Sequence, residues 1–322
     1  MKTKLLLAAL ICSSTMFGAE LKQGQLSNVT RVTSDKAVRF ENPVWSPDGK
    51  QLAFCEEGYE GLYVMNPETK AVKKLSSDLG VGYMFQWSAD SKDILVRDTR
   101  WVEEGGMKKR VHAAWAVNVD GQKVRLTEDD VNMKPAAWRY DVDGAKKVVA
   151  EAKAVKFELA AVPQRAMKAR SLNADVAVQT RYSFVEDCDN LYIVDQDGNK
   201  RVLDEGASFN GQLSPDGTKV AFNNYLDEVY VINVDGTGKK LIGKGFRPQW
   251  VGNEQLVYER TTDNGHNYTS GELYINSVNG NAEKALTATK NLIEMFPTVS
   301  PDGSKIAFSS ASDGQIYVAD FK

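Results

Sequence analysis

The chain has 322 residues, 42% of them apolar and 26% charged, with a formal charge of −3 and a pI near 5.7. That is enough apolar material for a sizeable core, and the balance is too acidic for a general nucleic-acid binder. Three cysteines are too few for a disulfide scaffold, and two histidines leave little for histidine-built metal sites.

The chain opens as an export signal. Lys2 and Lys4 precede an apolar run from Leu5 to Ile11, and small and polar residues follow to Gly18 and Ala19. The run is too short to span a bilayer. Residues 1–19 are read as a signal peptide cut near Ala19, and 20–322 as one domain. Bulky Ile11 argues against a lipidated Cys12. Removing the two lysines takes the mature charge to −5. The expected location is periplasmic or secreted, with no membrane-spanning segment in the mature chain.

The remainder repeats. Trp45-Ser-Pro-Asp-Gly49, Leu213-Ser-Pro-Asp-Gly217 and Val299-Ser-Pro-Asp-Gly303 each precede an alternating apolar run. Looser copies start at Trp87, Trp138 and Trp250. The six anchors lie 42, 51, 75, 37 and 49 residues apart. Each copy reads as two strands around a tight turn, since Pro presets φ and Gly accepts a positive one. A third strand follows, as in Leu62-Tyr-Val-Met65 and Ile316-Tyr-Val318, and then a short fourth. Four antiparallel strands recurring at this period predict an all-β, six-bladed β-propeller. The sixth copy lacks a fourth strand. Residues 29–33 match one, so the N-terminal strand is expected to complete the last blade and close the ring. The 75-residue interval leaves room for a degenerate seventh blade.

These Trp-Ser-Pro-Asp-Gly-Lys and Leu-Tyr-Val-Met segments resemble the repeats of the TolB-like six-bladed propellers over residues 29–322. The resemblance implies a bacterial, extracytoplasmic propeller that binds protein partners, with a channel that can hold a cation. Glu41 or Glu294 would then be the metal ligands. It also carries a departure, because only about ten residues are expected between the cut site and the first blade strand, where the family has an α/β domain.

Blade geometry puts the 2–3 loops and the links between blades on one face. Insertions at 97–110, 151–189 and 260–271 all fall in 2–3 loops, where binding residues concentrate. The first two are expected to project as arms. The candidate ligand-binding residues are Glu41, Tyr59, Tyr83, Arg100, Trp101, Phe209, Arg247, Arg260, His266, Tyr268 and Glu294. The Trp anchors read as core, whereas Trp101 departs from the repeat. No Gly-x-Ser-x-Gly, His-Glu-x-x-His or Cys-x-x-Cys is present, so no catalytic residue and no cofactor are assigned. His112 and His266 read as surface or hydrogen-bonding residues. Cys55 and Cys188 lie two blades apart and are expected to be free thiols. The leading expectation is a non-enzymatic exported binding protein for a protein or cell-envelope partner, with a glycan possible. The alternatives are a carbohydrate-active enzyme at the channel mouth, either a lyase or a glycosidase, and a scaffold subunit of the envelope.

Overall fold

The computed structural model describes residues 26–140, 146–152, 155–158, 182–186, 189–195 and 197–322. The expected signal peptide lies outside them, as do Cys188 and residues 159–181. The described residues form antiparallel sheets arranged as a β-propeller.

Five blades are four-stranded. Blade one comprises Phe40–Trp45, Leu52–Glu56, Glu60–Asn66 and Ala71–Ser76. Blade two comprises Gln86–Trp87, Asp93–Arg97, Ala114–Asn118 and Lys123–Arg125. Blade four runs from Ser208 to Lys244 and blade five from Phe246 to Ala285. In blade six, Glu294–Val299, Lys305–Ser310 and Gln315–Phe321 are joined by Leu26–Arg31. That strand pairs antiparallel with Gln315–Phe321, and the Val32 N–H continues the ladder to the Ile316 carbonyl at 2.9 Å. The ring is therefore closed by the N-terminal strand as expected, about three residues earlier than the repeat indicated.

The sector opened by Trp138 is the exception. Lys146–Ala152 was expected to pair with Leu191–Val194. Instead it pairs on its second side with Val155–Glu158, and Leu191–Val194 pairs with Ser183–Glu186 and Lys200–Asp204. Two three-stranded sheets thus occupy the 75-residue interval among the described residues, an interval about twice the 37 residues between Leu213 and Trp250. Of the expected arm at 151–189, Val155–Glu158 pairs back onto Lys146–Ala152 and Ser183–Glu186 pairs with Leu191–Val194, so these stretches belong to sheets, while residues 159–181 lie outside the described residues. The arm at 97–110 is present as a hairpin of Arg100–Glu104 and Met107–Val111.

Local chemistry explains the repeat. In blade one the Ser46 hydroxyl donates to Asp48 at 2.7 Å and accepts the Gln51 N–H at 2.9 Å, while Gly49 holds φ near +70°. The same serine–aspartate clasp recurs at Ser88, Ser214 and Ser300. The strand-two aromatic stacks on the tyrosine directly across in strand three: Phe54 on Tyr63, Phe222 on Tyr230, Tyr258 on Tyr274 and Phe308 on Tyr317. The core is a set of clusters between neighbouring blades; one joins Leu52, Phe54 and Met65 of blade one to Ala307 and Ile316 of blade six. Each such Leu, Phe, Met or Ile side chain contributes about 1.5–3 kcal/mol by leaving water. Three of the four tryptophan anchors add a polar tie. The Trp87 indole donates to the Val44 carbonyl (3.1 Å), Trp138 to Gln86 (3.0 Å) and Trp250 to Gln212 (2.9 Å). In each case the acceptor immediately precedes an earlier anchor.

Candidate functional site

Three residues before its anchor, each complete blade has a left-handed residue, which in blades one, four, five and six sits in a bulge of the innermost strand. Asn42, Met84, Asn210, Arg247 and Phe296 all hold φ between 51° and 57° there. Side chains seldom adopt that conformation, and five non-glycine residues at one repeat position mark a constraint of the fold. The Trp138 sector has Pro135 at that position, whose ring forbids positive φ. The residue after the strand-two core position braces the bulge in several blades. Cys55 Sγ donates to the Glu41 carbonyl at 3.5 Å, and Ser309 donates to the Met295 carbonyl at 3.3 Å. Asn223 Oδ1 accepts the side-chain amide of Asn210 and the backbone N–H of Arg247.

Glu259 is the brace of blade five, and it is wholly buried. Its carboxylate pairs with the Arg247 guanidinium and accepts the Phe296 N–H. Burial pushes Glu259 upward, opposed by Arg247 and by that N–H. Burial also works against the charge of Arg247, but Glu259 and Tyr59 outweigh it and keep the guanidinium above its ordinary range. The guanidinium carbon lies 3.9 Å from the centre of the Phe296 ring.

Arg247, Phe296 and Tyr59 line a pocket of about 230 Å³ on the face of the inter-blade links and 2–3 loops, with Glu259 behind Arg247. Glu41, Glu57 and Tyr59 come to it from blade one, Arg247 and Tyr268 from blade five, and Phe296 from blade six. Glu41 Oε1 accepts the N–H groups of Gly58 (3.0 Å) and Tyr59 (3.2 Å). Burial raises the Glu41 carboxyl, partly offset by those two bonds. Arg39 binds Glu57 at 2.6 Å and the Ala311 carbonyl at 2.6 Å. Aromatic rings continue beside the pocket. Tyr83 meets Tyr59 edge to face at 5.3 Å, and the Arg97 guanidinium lies 5.4 Å from the Tyr83 ring centre. Phe209 tilts against Tyr225 at 4.6 Å, and Tyr225 and Leu226 are 67% and 70% exposed.

Of the residues singled out in the sequence, Glu41, Tyr59, Arg247 and Tyr268 share the pocket. Tyr83 adjoins it through Tyr59, and Phe209 packs on Tyr225. Arg100 is held by Asp98 and Asp129. Trp101 is exposed on the blade-two hairpin, across from Arg110. Arg260 is tied to Glu283 at 2.7 Å and lies on the Tyr274 ring, outside the pocket. His266 is exposed in the turn of the blade-five hairpin. Glu294 is fully buried beside Thr289 and does not line the pocket. His112 is buried, its Nδ1 within 3.1 Å of Thr99 Oγ1 and 3.0 Å of the Asp98 carbonyl. Sequence reasoning missed Glu259, Asn223, Phe296, Tyr225 and the Arg39–Glu57 pair. The first two stand at one repeat position, just past the strand-two core residue, and that alignment is the signal that would have found them.

No family model matches the chain. It is 27% identical over 116 residues to a protein TolB homolog of Chlorobium luteolum, a stretch covering 34% of this chain and 25% of that relative. Among solved structures, TolB from Acinetobacter baumannii matches with 19% identity and a TM-score of 0.47, covering 78% of this chain and 55% of that one. The β-propeller domain of Cps50 (Swd1) from Myceliophthora thermophila matches with 16% identity and a TM-score of 0.53, covering 92% and 99%. The chain spans about half the length of the TolB structure. In fold it is a β-propeller, and over about a third of its length its sequence is similar to that of a TolB homolog.

Proposed function

We propose that this protein is an exported, non-enzymatic propeller, periplasmic or secreted, that takes a protein or cell-envelope partner at the loop face of its channel. One observation carries the reading. Residues from three blades converge on a pocket whose arginine is braced by a fully buried carboxylate, and exposed aromatic side chains stand beside it. Preset charged groups with exposed aromatics are the usual anchors of an interface. The similarity to a TolB homolog supports a TolB-like binding protein. The carbohydrate-active alternative finds less support at this pocket. Glu259 is committed to Arg247, and one oxygen of Glu41 to two backbone N–H groups, so neither is disposed as an acid/base pair.

The test is capture from an envelope extract followed by quantitative mass spectrometry. Replacing the exposed Tyr225 and Tyr268 together by Ala is expected to lower capture of the specific partner by about tenfold or more. Lys50→Glu, on the opposite turn face, is expected to leave capture unchanged. Equal capture by both variants overturns the placement.

A further inference from the structure

We infer that the pocket receives a basic side chain, the ammonium of a lysine or the guanidinium of an arginine, presented by the partner. This rests on the binding role proposed above and names the chemistry of what is bound. Two arginines and three glutamates meet at or directly behind the pocket. Arg39 is neutralised by Glu57, and Arg247 by the buried Glu259. Glu41 remains. Its Oε1 is occupied by Gly58 and Tyr59, which leaves Oε2 as an acceptor in a pocket whose net charge is −1. Around it stand Phe40, Tyr59, Tyr268 and Phe296.

A carboxylate with aromatic neighbours is the combination that holds an organic cation, through a charge-assisted hydrogen bond and the negative ring faces. An anionic ligand would meet an arginine whose charge is already matched, with Glu41 and Glu57 near by. A hard metal ion wants six or more oxygens, and among the described residues no cluster of three His, Cys, Asp or Glu is placed to hold one. The cavity suits one side chain, and the exposed Tyr225, within electrostatic reach of Tyr83 beside the pocket, provides an aromatic surface for a flanking residue of an extended segment.

The experiment uses the mature chain and four blocked pentapeptides that differ only in the central residue: lysine, arginine, norleucine or glutamate. Binding is followed by saturation-transfer NMR at low ionic strength. The lysine and arginine peptides are expected to bind about tenfold more tightly than the norleucine and glutamate peptides, and to weaken as salt is added. Glu41→Gln keeps the shape and the Oε1 acceptor. It is expected to abolish the preference for lysine over norleucine with an unchanged melting temperature. Tyr268→Ala, at a side chain 45% exposed and free to change without unfolding, is expected to weaken both basic peptides. Equal binding of lysine and norleucine, no binding of any peptide at millimolar concentration, or an unchanged preference in Glu41→Gln overturns the inference. The two proposals separate in the envelope capture assay. Full capture by Glu41→Gln with loss in the Tyr225/Tyr268 double variant defeats the cation site alone. Full capture by that double variant defeats the binding face itself.

Discussion

Arg247 and Glu259 form an ion pair within blade five in which the carboxylate side chain is 0% exposed and the guanidinium 29%. The pair couples three blades, because Glu259 also accepts the Phe296 N–H and Arg247 meets Tyr59 of blade one. It holds two left-handed bulge residues, Arg247 and Phe296, in place. The brace of the pocket is thus also a clamp between neighbouring blades.

Removing the arginine should therefore be costly. Arg247→Ala leaves a buried carboxylate without its partner, and a loss of about 3–4 kcal/mol in urea denaturation is expected. Arg247→Lys keeps the charge but gives up the flat contact with the Phe296 ring at 3.9 Å, and should lose about half as much. Glu259→Gln placed on Arg247→Ala should recover part of the loss. An Arg247→Ala variant within about 0.5 kcal/mol of the parent would show that the pair does not brace the fold.

Glu294 should make the protein less stable as pH rises through the mildly acidic range. Burial lifts its carboxyl from 4.5 to about 7; the bond from Thr289 opposes the shift and Glu272 adds to it. Its Oε2 is buried with no hydrogen-bond partner. Below about pH 4.5 both folded and unfolded chains hold the proton. Between that value and about 7 the unfolded chain releases it first, so the stabilisation fades and is gone above about 7. The expected difference is about 3 kcal/mol for this group. Glu294→Gln should flatten that part of the profile and be the more stable form at pH 8. Parallel urea midpoints for the two proteins from pH 5 to 8 would defeat the prediction.

Gly82 is fixed by close approach, with an ordinary φ. A Cβ there would lie 2.4 Å from Cys55 Cβ and 2.6 Å from its sulfur. The Gly82 N–H donates to the Tyr59 carbonyl at 3.0 Å, and its own carbonyl accepts from Asn42 at 3.0 Å. Gly82→Ala should push blade two away from blade one and cost about 2–3 kcal/mol. It should also displace Tyr59 and weaken binding at the pocket. A melting temperature equal to that of the parent would refute the overpacking argument.

Cys55 should be inert in the native state. It is wholly buried, and burial drives its thiol far above the ordinary range, with Glu41 and Glu56 adding to the shift. Thiolates are the reactive form, so iodoacetamide should modify Cys55 only after denaturation. Peptide mapping after native and denaturing alkylation reads this directly. Labelling of Cys55 in the folded protein at the rate of a free peptide thiol would contradict it.

The repeat made most of the fold legible. A Ser-Pro-Asp-Gly turn and an alternating second strand depend on residues a few positions apart, so their pattern survives in a linear reading. Closure by the N-terminal strand was legible for the same reason, since residues 29–33 look like the fourth strands elsewhere. The Trp138 sector was not. Val155–Glu158 and Ser183–Glu186 read as the two sides of an outgoing arm, but each pairs with a neighbouring strand in its own sheet. Strand pairing is a choice between competing partners, and periodicity gives no information about the winner.

The candidate site divides the same way. By itself the sequence determined which face carries the long loops and that Glu41, Tyr59, Arg247 and Tyr268 lie on it, because blade topology assigns each loop an end of the ring. Only the tertiary structure decided that these four share one pocket, that Arg260 and Glu294 lie outside it, and that Glu259 sits behind Arg247. Those facts depend on closing the ring. Closure brings residues about 200 positions apart into contact, and the buried position then decides which charges need a partner.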